Sequence, residues 1–176
     1  IAAFSGFVPQ LLNGGRVVVE EFLEGEEVSY IVLTDGERFL PLQPTQDHKA
    51  IFDGDRGPNT GGMGAYRDPR ILNQAQHSAL QDSVIRPVLA QMREEGTPFT
   101  GFLYAGLMMT EEGPKVLEFN ARLGDPETQP LLMSLHSDLA SVLLAAARGE
   151  LDGAAPLQWN EGASICVVLA AHGYPG

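Results

Sequence analysis

Residues 116–127 read VLEFNARLGDPE. The first half of this stretch alternates apolar and polar side chains, which is typical of a strand whose successive side chains point to opposite faces. Such a strand places Glu118, Asn120 and Arg122 on one face and leaves an apolar face that can pack on a core. The glycine and proline that follow are typical of a turn. The stretch therefore predicts a β-strand that ends in a turn, and a fold that contains a sheet.

The polar face of this strand offers a carboxylate oxygen, an amide oxygen and a guanidinium group in one row. Mg²⁺ takes hard oxygen ligands and is usually held by one or two protein groups together with phosphate oxygens. Arginine can donate two parallel hydrogen bonds to a phosphate or a carboxylate group. The row therefore suits a site for Mg²⁺ and nucleotide phosphates. From the residues alone, an edge strand with a solvated polar face explains the same pattern equally well.

Composition narrows the class of protein. With 176 residues, 44% of them apolar, the chain has room for one sizeable core and a second small unit. Twenty glycines and twelve prolines favour a loop-rich mixed α/β chain, and the net charge of −12 argues against a general nucleic-acid surface. No stretch approaches the roughly 18 apolar residues of a membrane span. The single Cys166 excludes an intrachain disulfide framework and fits a reducing compartment, and its apolar neighbours predict a buried, inert thiol.

Periodicity and turn residues predict the order of the elements. We expect helices over residues 1–12, 72–95 and 138–148, the second kinked at Pro87. We expect strands over residues 17–22, 28–34, 38–42, 102–110 and 115–120. Residues 149–156 read as a linker, and the apolar run 165–169 as a strand without an obvious partner in this chain. Because the chain begins without methionine and stops soon after that run, we read it as a fragment.

A long irregular segment is expected over residues 44–68, and long loops are often functional. It contains Asp47 and Lys49, which together can meet the amine and the carboxylate of a zwitterion. It also contains GPNTGGMGAY at residues 57–66, whose backbone N–H groups can wrap a phosphate or a small anion. A surface loop whose glycines only permit tight bends is the competing interpretation. For His48, a hydrogen-bonded structural role is favoured over catalysis.

Five segments, taken in order, resemble the phosphoribosylamine–glycine ligase (glycinamide ribonucleotide synthetase) family of purine biosynthesis: residues 17–27, 46–49, 57–66, 100–108 and 117–127. Members of that family have an ATP-grasp fold. The resemblance therefore implies an α+β chain that forms the C-terminal portion of an ATP-grasp domain over residues 1–148, an antiparallel sheet with packed helices. Residues 149–176 would be a linker and the beginning of a small C-terminal domain.

The resemblance also implies a role for each matching residue. The adenine and ribose of ATP would be bound by Glu20, Glu21, Phe22, Leu23 and Glu27. Mg²⁺ or Mn²⁺ would be held by Glu118 and Asn120. Glycine and 5-phosphoribosylamine would be bound by Asp47, Lys49, Asn59, Thr60, Gly61, Gly62, Arg122 and Asp125, of which Asp47 and Arg122 would be catalytic. No serine–histidine or cysteine–histidine pair competes with this assignment.

The implied activity is that of a cytoplasmic, ATP-dependent carbon–nitrogen ligase whose partners are small molecules, with neither nucleic acid nor membrane. ATP phosphorylates the carboxylate of glycine, and the amine of 5-phosphoribosylamine then attacks the glycyl phosphate. The chain departs from many ATP-grasp enzymes in one respect, since residues 104–108 carry no acid for a second metal. The first half of the fold would precede Ile1, so we expect little activity from this piece alone. Another ATP-grasp carboxylate–amine ligase, or a non-catalytic nucleotide-binding remnant, remains an alternative.

Overall fold

The computed structural model describes residues 19–174. The predicted helix over residues 1–12 lies outside this range, as do residues 17 and 18 of the predicted strand over 17–22. The rest of that strand prediction is wrong, because residues 19–24 have no regular secondary structure and Phe22 is 89% exposed. Within the described range, no strand of the sheet pairs with this segment.

Regular structure begins at Glu26. The strands are β1 (Glu26–Thr34), β2 (Phe39–Pro41), β3 (Thr45–Phe52), β4 (Arg56–Arg67), β5 (Gly101–Thr110), β6 (Gly113–Asn120) and β7 (Ser164–Val167). The helices are α1 (Gln74–Leu80), a π-helical turn (Gln81–Ile85), α2 (Arg86–Glu94), α3 (Thr128–Ser134), α4 (Leu139–Arg148) and a 3₁₀ turn (Leu151–Gly153). The strand predictions from residue 28 onward and the helix predictions over 72–95 and 138–148 are confirmed to within a few residues, whereas α3 was not predicted.

The strands form one antiparallel sheet in the order β6-β5-β1-β3-β4-β7, with β2 beside β1. Strand β1 pairs along its whole length with β5, so that Ser29 lies opposite Gly106. On its other side Ser29 lies opposite Thr45 of β3, and Gly106 in turn lies opposite Glu118 of β6. This register brings residues of β3, β1, β5 and β6 into one row across the sheet, although the first two strands are far in sequence from the last two.

The two faces of the sheet pack against different helices. Val28, Tyr30 and Val32 belong to a core that α1, the π-helical turn and α2 cover. Ile31 and Leu33, which alternate with them, belong to a second core with side chains from α3, α4 and the 3₁₀ turn. This alternation follows from the two-residue period of a strand, and each large apolar side chain so buried contributes about 1.5–3 kcal/mol. Ser29 lies on the second face, beside the part that α3 covers.

The predicted interruption of the long helix takes the form of the π-helical turn. The backbone N–H of Arg86 donates to the carbonyl of Gln81, five residues back. Pro87 follows in the first turn of α2. It has no backbone N–H, and its ring clashes with the carbonyl four residues back, so the ordinary α-helical hydrogen bond cannot form there. The start of α1 is stabilised by a capping box between Asn73 and Gln76. The side chain of Asp138 caps the start of α4, and Gly149, in the left-handed conformation, ends it.

The prediction of an irregular segment over residues 44–68 is wrong, because β3 and β4 form a long hairpin there. Thr45 lies opposite Arg67 and His48 opposite Gly64, and beyond that point the register shifts twice before the turn at residues 53–55. Backbone pairing does not require apolar side chains, so a strand with polar residues on both faces leaves no alternating pattern to read. The residues of this segment that were predicted to bind substrate therefore lie on a β-sheet and not on a loop.

The apolar run near the C-terminus has a partner in this chain, contrary to the sequence interpretation. Strand β7 pairs with β4, with Cys166 opposite Ala65. Cys166 is a free thiol of intermediate exposure, so the prediction of full burial is wrong. The division of the chain at residue 149 stays a prediction. Between residues 19 and 174, no helix is long and apolar enough to cross a membrane.

Candidate active site

A cavity of about 190 Å³ opens on the second face of the sheet, at the row that joins Glu118, Gly106 and Ser29. Its walls come from four strands, which supply Glu27, Ser29, Asp47, Lys49, Tyr104 and Glu118. Sequence reasoning placed Asp47, Lys49 and Glu118 in the site, and the structure brings these three together. They meet because β3 and β6 lie on opposite sides of the β1–β5 pair and turn these side chains to the same face.

Lys49 is the cation at the centre of this cavity. Its Nζ lies 3.1 Å from Oε2 of Glu27 and 3.8 Å from Oδ2 of Asp47. Burial by itself would lower the pKa of Lys49, but the carboxylates of Asp47, Glu27 and Glu118 outweigh burial and raise it. Lys49 therefore stays charged at neutral pH and can bind a carboxylate or a phosphate.

Asp47 is the most enclosed acid that lines the cavity, with its side chain 5% exposed. Burial raises the pKa of Asp47, and the charges of Glu127 and Glu27 raise it further against the opposing effect of Lys49. Perturbed carboxyl groups of this kind concentrate at functional sites. Asp47 is accordingly suited to accept hydrogen bonds or a proton from an amine.

Glu127, Tyr104 and Ser29 form a buried cluster that sequence reasoning missed. Tyr104 Oη donates to Glu127 Oε1 at 2.9 Å, Ser29 Oγ donates to the same oxygen at 3.2 Å, and the two hydroxyl oxygens lie 2.7 Å apart. Burial raises the pKa of Tyr104 well above its ordinary range, so its phenol remains protonated. Glu127 lies in the quoted stretch 116–127, but only the tertiary structure shows that its carboxylate turns inward.

The predicted metal ligands lie at the edge of the sheet. Glu118 and Asn120 are opposite Gly106 and Tyr104 of β5, two residues apart and so on one face. Among the residues from 19 to 174, no group of three or more His, Cys, Asp or Glu side chains is placed to hold a metal ion. One carboxylate and one amide beside a cavity suit a cation that takes its other ligands from phosphate oxygens.

Two expectations for this strand are wrong. A register shift after Gly106 leaves Leu117 as an extra residue, and Leu117 and Phe119 are 38% and 42% exposed instead of packed in a core. Arg122 lies beyond the end of β6, so the alternation that placed it with Glu118 does not reach it. Its Nη1 donates to the carbonyl of Leu123 at 2.9 Å, and the residue is exposed.

The glycine-rich residues of β4 lie against the turn that carries Asp125. At Gly62, whose φ is +126°, an added Cβ would lie 2.5 Å from Cδ of Pro126. The N–H of Gly62 donates to Thr60 Oγ1 at 3.1 Å, and the N–H of Gly61 donates to Tyr174 Oη at 3.2 Å. The structure thus brings the predicted residues of the two segments together, but these two amides have intramolecular partners.

A second cavity, of about 470 Å³, continues from the first along the β3–β4 hairpin. Asn59 and Tyr66 line it together with Glu27, Asp47 and Lys49, which line both cavities. Gln46 joins the hairpin to the central strand, since its Nε2 donates to the carbonyl of Glu27 at 2.8 Å. His48 lies at the rim, with Nδ1 2.9 Å from Oδ1 of Asp55, which agrees with a structural role.

The segment predicted to bind adenine lines a third cavity, of about 590 Å³. Glu21, Phe22 and Leu23 form one side and Lys115 lies opposite, with its Nζ 3.1 Å from Oε1 of Glu21. Glu20 is exposed in the same irregular segment. Glu27, expected to bind the ribose, accepts a hydrogen bond from Lys49 at 3.1 Å, and its role stays a prediction. Gly25 lines both the second and the third cavity and so connects them.

Comparison with known protein families shows to which family the chain belongs. Residues 8–128 match the family described as phosphoribosylglycinamide synthetase, ATP-grasp (A) domain. The chain belongs to this family. The α+β class and the ATP-grasp fold expected from the sequence are thereby confirmed, and so is the resemblance to phosphoribosylamine–glycine ligases.

Members of the phosphoribosylglycinamide synthetase family from distant organisms resemble this chain closely. It is 53% identical over 165 residues to the phosphoribosylamine–glycine ligase of Vigna unguiculata, covering 93% of this chain and 53% of that protein. It is 54% identical over 166 residues to the Streptomyces coelicolor ligase, covering 92% of this chain and 39% of that protein. The crystal structure of the Thermotoga maritima ligase superposes with a TM-score of 0.82 at 36% identity, covering 96% of this chain and 42% of that one. The chain therefore spans about two fifths to one half of these relatives.

Proposed function

We propose that this chain is part of a phosphoribosylamine–glycine ligase, an enzyme that joins glycine to 5-phosphoribosylamine in purine biosynthesis and works in the cytoplasm. The observation that carries the proposal is the shared cavity of Glu118, Asp47 and Lys49, three residues from two distant segments of a chain that belongs to the ligase family. Its substrates are small molecules: ATP, glycine and 5-phosphoribosylamine.

Different residues of the cavities serve the two steps of the reaction, which are phosphoryl transfer from ATP to glycine and attack by the acceptor amine. Glu21, Phe22 and Leu23, which line the third cavity, hold the adenine of ATP together with the neighbouring Glu20. Glu27, which accepts a hydrogen bond from Lys49, binds the ribose. Mg²⁺ or Mn²⁺ on Glu118 and Asn120 would neutralise phosphate charge when bound. Lys49 binds the glycine carboxylate that receives the phosphoryl group, and Asp47 accepts hydrogen bonds from the amine. Phosphoryl transfer of this kind needs positioning and charge neutralisation more than a protein nucleophile.

The second half of the reaction needs a place for the acceptor. The amine of 5-phosphoribosylamine attacks the carbonyl carbon of glycyl phosphate and forms a carbon–nitrogen bond. Inorganic phosphate leaves with the electrons of the broken carbon–oxygen bond and takes up the proton that the amine nitrogen loses. We assign the acceptor to the side of the site that β4 forms. Asn59 lines the second cavity there, Thr60 and Gly61 follow it along the strand, and Gly62 lies against the turn of Asp125. Arg122, on the exposed segment between β6 and that turn, would stabilise the charge of the leaving phosphate.

The test uses a full-length ligase that carries this sequence, assayed for ADP release that depends on glycine and 5-phosphoribosylamine. In that enzyme, Asp47→Asn should raise the KM for glycine far more than the KM for ATP, because the variant loses the charge that meets the amine. Alanine should replace glycine about 10- to 200-fold less well, since one methyl group is worth only about 1–3 kcal/mol.

The outcomes separate the proposal from its alternatives. A preference for another small carboxylate over glycine would identify a different ATP-grasp carboxylate–amine ligase. Nucleotide binding without metal-dependent ATP turnover would identify a non-catalytic remnant. If Asp47→Asn lowered ATP affinity and left the KM for glycine unchanged, the β3 residues would belong to the nucleotide half of the site and the division of roles would be wrong.

A further inference from the structure

Among the residues that the structure describes, Glu127 is a buried carboxylate without a cationic partner. The residue is 3% exposed, and among residues 19–174 no ion pair includes it. Its contacts with side chains are the hydroxyl groups of Ser29 and Tyr104, which are themselves 2% and 4% exposed. Burying a carboxylate in this way is costly unless its surroundings stabilise the charge. Gly124 leaves room for this carboxyl group, because a Cβ on Gly124 would lie 2.5 Å from the carboxyl carbon of Glu127.

The hydrogen bonds of this cluster leave room for an outside donor. Three oxygens lie within 2.7–3.2 Å of one another, but with Glu127 ionised only two hydroxyl hydrogens are available for the three contacts. When both hydroxyl groups donate to Glu127, as the distances permit, the lone pairs of Ser29 and Tyr104 are left without a donor. Both residues line the 190 Å³ cavity, so these lone pairs can accept from a group bound there.

The carboxylates in and behind the cavity favour a positively charged group next to the hydroxyl groups of Ser29 and Tyr104. Among residues 19–174, the cavity is lined by three acids, Glu27, Asp47 and Glu118, and by one cation, Lys49. Glu127 adds a fourth carboxylate behind Ser29 and Tyr104. A primary ammonium group brings three N–H donors, which match one carboxylate and two hydroxyl oxygens.

We propose that Glu127, acting through the hydroxyl groups of Ser29 and Tyr104, positions the ammonium group of the amino-acid substrate beside Asp47. This inference rests on the proposed ligase function and assigns three residues that the family resemblance left without a role. The opposite end of the substrate, its carboxylate, then lies toward Lys49, whose Nζ is 3.8 Å from the Asp47 carboxylate. Glu127 is a positioning residue in this scheme, whereas Ser29, Tyr104 and Asp47 contact the substrate.

The decisive variant is Glu127→Gln in the full-length ligase, because it preserves the size of the side chain and removes its charge. We expect the KM for glycine to rise about tenfold or more, with the KM for ATP changing less than about twofold and a smaller effect on kcat. Tyr104→Phe, which keeps the ring and deletes the hydroxyl, should act in the same direction. Glu94→Gln, on the exposed surface of α2, is the matched control and should leave all three constants unchanged.

A second measurement compares glycine with N-methylglycine, whose ammonium group has one N–H donor fewer. The wild-type enzyme should prefer glycine strongly, and Glu127→Gln and Tyr104→Phe should reduce that preference. A merely structural role would weaken the use of ATP and of both amino acids by similar factors, and that result would overturn the inference. If Glu127→Gln fails to fold, as judged by its circular dichroism and Tm, Tyr104→Phe carries the same test.

These outcomes are distinct from failure of the proposed function. If the wild-type enzyme releases no ADP in response to glycine and 5-phosphoribosylamine, the ligase proposal fails and the inference fails with it. If the wild-type enzyme is active but Glu127→Gln and Tyr104→Phe keep the wild-type KM for glycine and the wild-type preference over N-methylglycine, the inference alone is overturned.

Discussion

At the scale of single residues, the site depends on side chains whose neighbours come from other strands. Glu118 shows this clearly: its role was predicted from its spacing to Asn120, but the cavity beside it is made by β1, β3 and β5. Lys49 shows the same, since its charge is maintained by carboxylates from three strands. The charge of Lys49 is therefore maintained by neighbours that the sheet register brings to it.

Replacing Glu118 tests the proposed phosphate site. In the full-length ligase, Glu118→Gln should lower kcat by orders of magnitude, because phosphoryl transfer loses a main source of charge stabilisation. The Tm should change little, since Glu118 lies exposed on an edge strand. Turnover is measured at saturating Mg²⁺, with Glu94→Gln as the control. Unchanged turnover would remove Glu118 from the site.

At the scale of the elements, the contact between β4 and the turn before α3 holds the two predicted substrate segments together. Gly62 has a φ of +126° and lies against Pro126, so both its conformation and its surroundings favour glycine. Gly62→Ala should destabilise the protein by about 1–3 kcal/mol through strain and overpacking. The measurement is the free energy of unfolding in urea.

Gly153 supplies the control for this variant. An added Cβ at Gly153 meets nothing within 4 Å, and its φ lies outside the left-handed region. Gly153→Ala should therefore change the free energy of unfolding only slightly. Equal effects of the two substitutions would show that the contact between β4 and the turn contributes nothing special to stability.

The connection between β4 and α1 contains an ion pair that makes stability depend on pH. The hydrogen bonds from Arg70 lower the pKa of Asp68 from 3.8 to about 2, and Arg70 Nη2 lies 2.6 Å from Asp68 Oδ2. Because the pKa is lower in the folded protein than in the unfolded chain, the stabilisation is complete at a pH well above 3.8 and is lost as the pH falls toward 2.

The variant Asp68→Asn isolates this effect. Its free energy of unfolding should lie below that of the wild type at pH 6, and the difference should shrink between pH 4 and pH 2, as followed by urea denaturation. Asp53→Asn, in the exposed turn between β3 and β4, controls for the loss of one negative charge. A difference that stays constant with pH would show that the ion pair does not stabilise the folded state.

At the scale of the whole molecule, both edges of the sheet expose apolar side chains. Val116, Leu117 and Phe119 on β6 are 38–42% exposed, and Ile165 and Val167 on β7 are 69% and 67% exposed. Exposed edge strands with apolar side chains favour pairing with other chains. The 176-residue chain studied by itself should therefore associate as its concentration rises.

A double substitution on β7 tests this expectation. Ile165→Lys with Val167→Lys should reduce association, measured by sedimentation and light scattering, because charges on an edge strand oppose pairing. Adding the same charges on α1, by Gln74→Lys with Ala79→Lys, is the control and should have a smaller effect. Equal behaviour of the two double variants would place the association elsewhere than at the β7 edge.

The sequence by itself determined the elements whose own periodicity or caps are strong. Strand β1, the β5–β6 hairpin, α4 with its caps at Asp138 and Gly149, and the interruption at Pro87 all follow from local preferences. The motif segments also sufficed to identify the fold and the ligase family, and to choose Asp47, Lys49 and Glu118. These features depend on residues close together in the chain, so a linear pattern contains them.

Only the tertiary structure decided the β3–β4 hairpin, the partner of β7 and the buried position of Glu127. Polar strands such as β3 are held by backbone hydrogen bonds to neighbours, which leave no apolar alternation in the sequence. Glu127 meets Ser29 and Tyr104 across separations of 98 and 23 residues, because α3 packs over the face of the sheet that β1 and β5 share. Contacts of this kind are set by the register and packing of whole elements, and no spacing within a single segment specifies them.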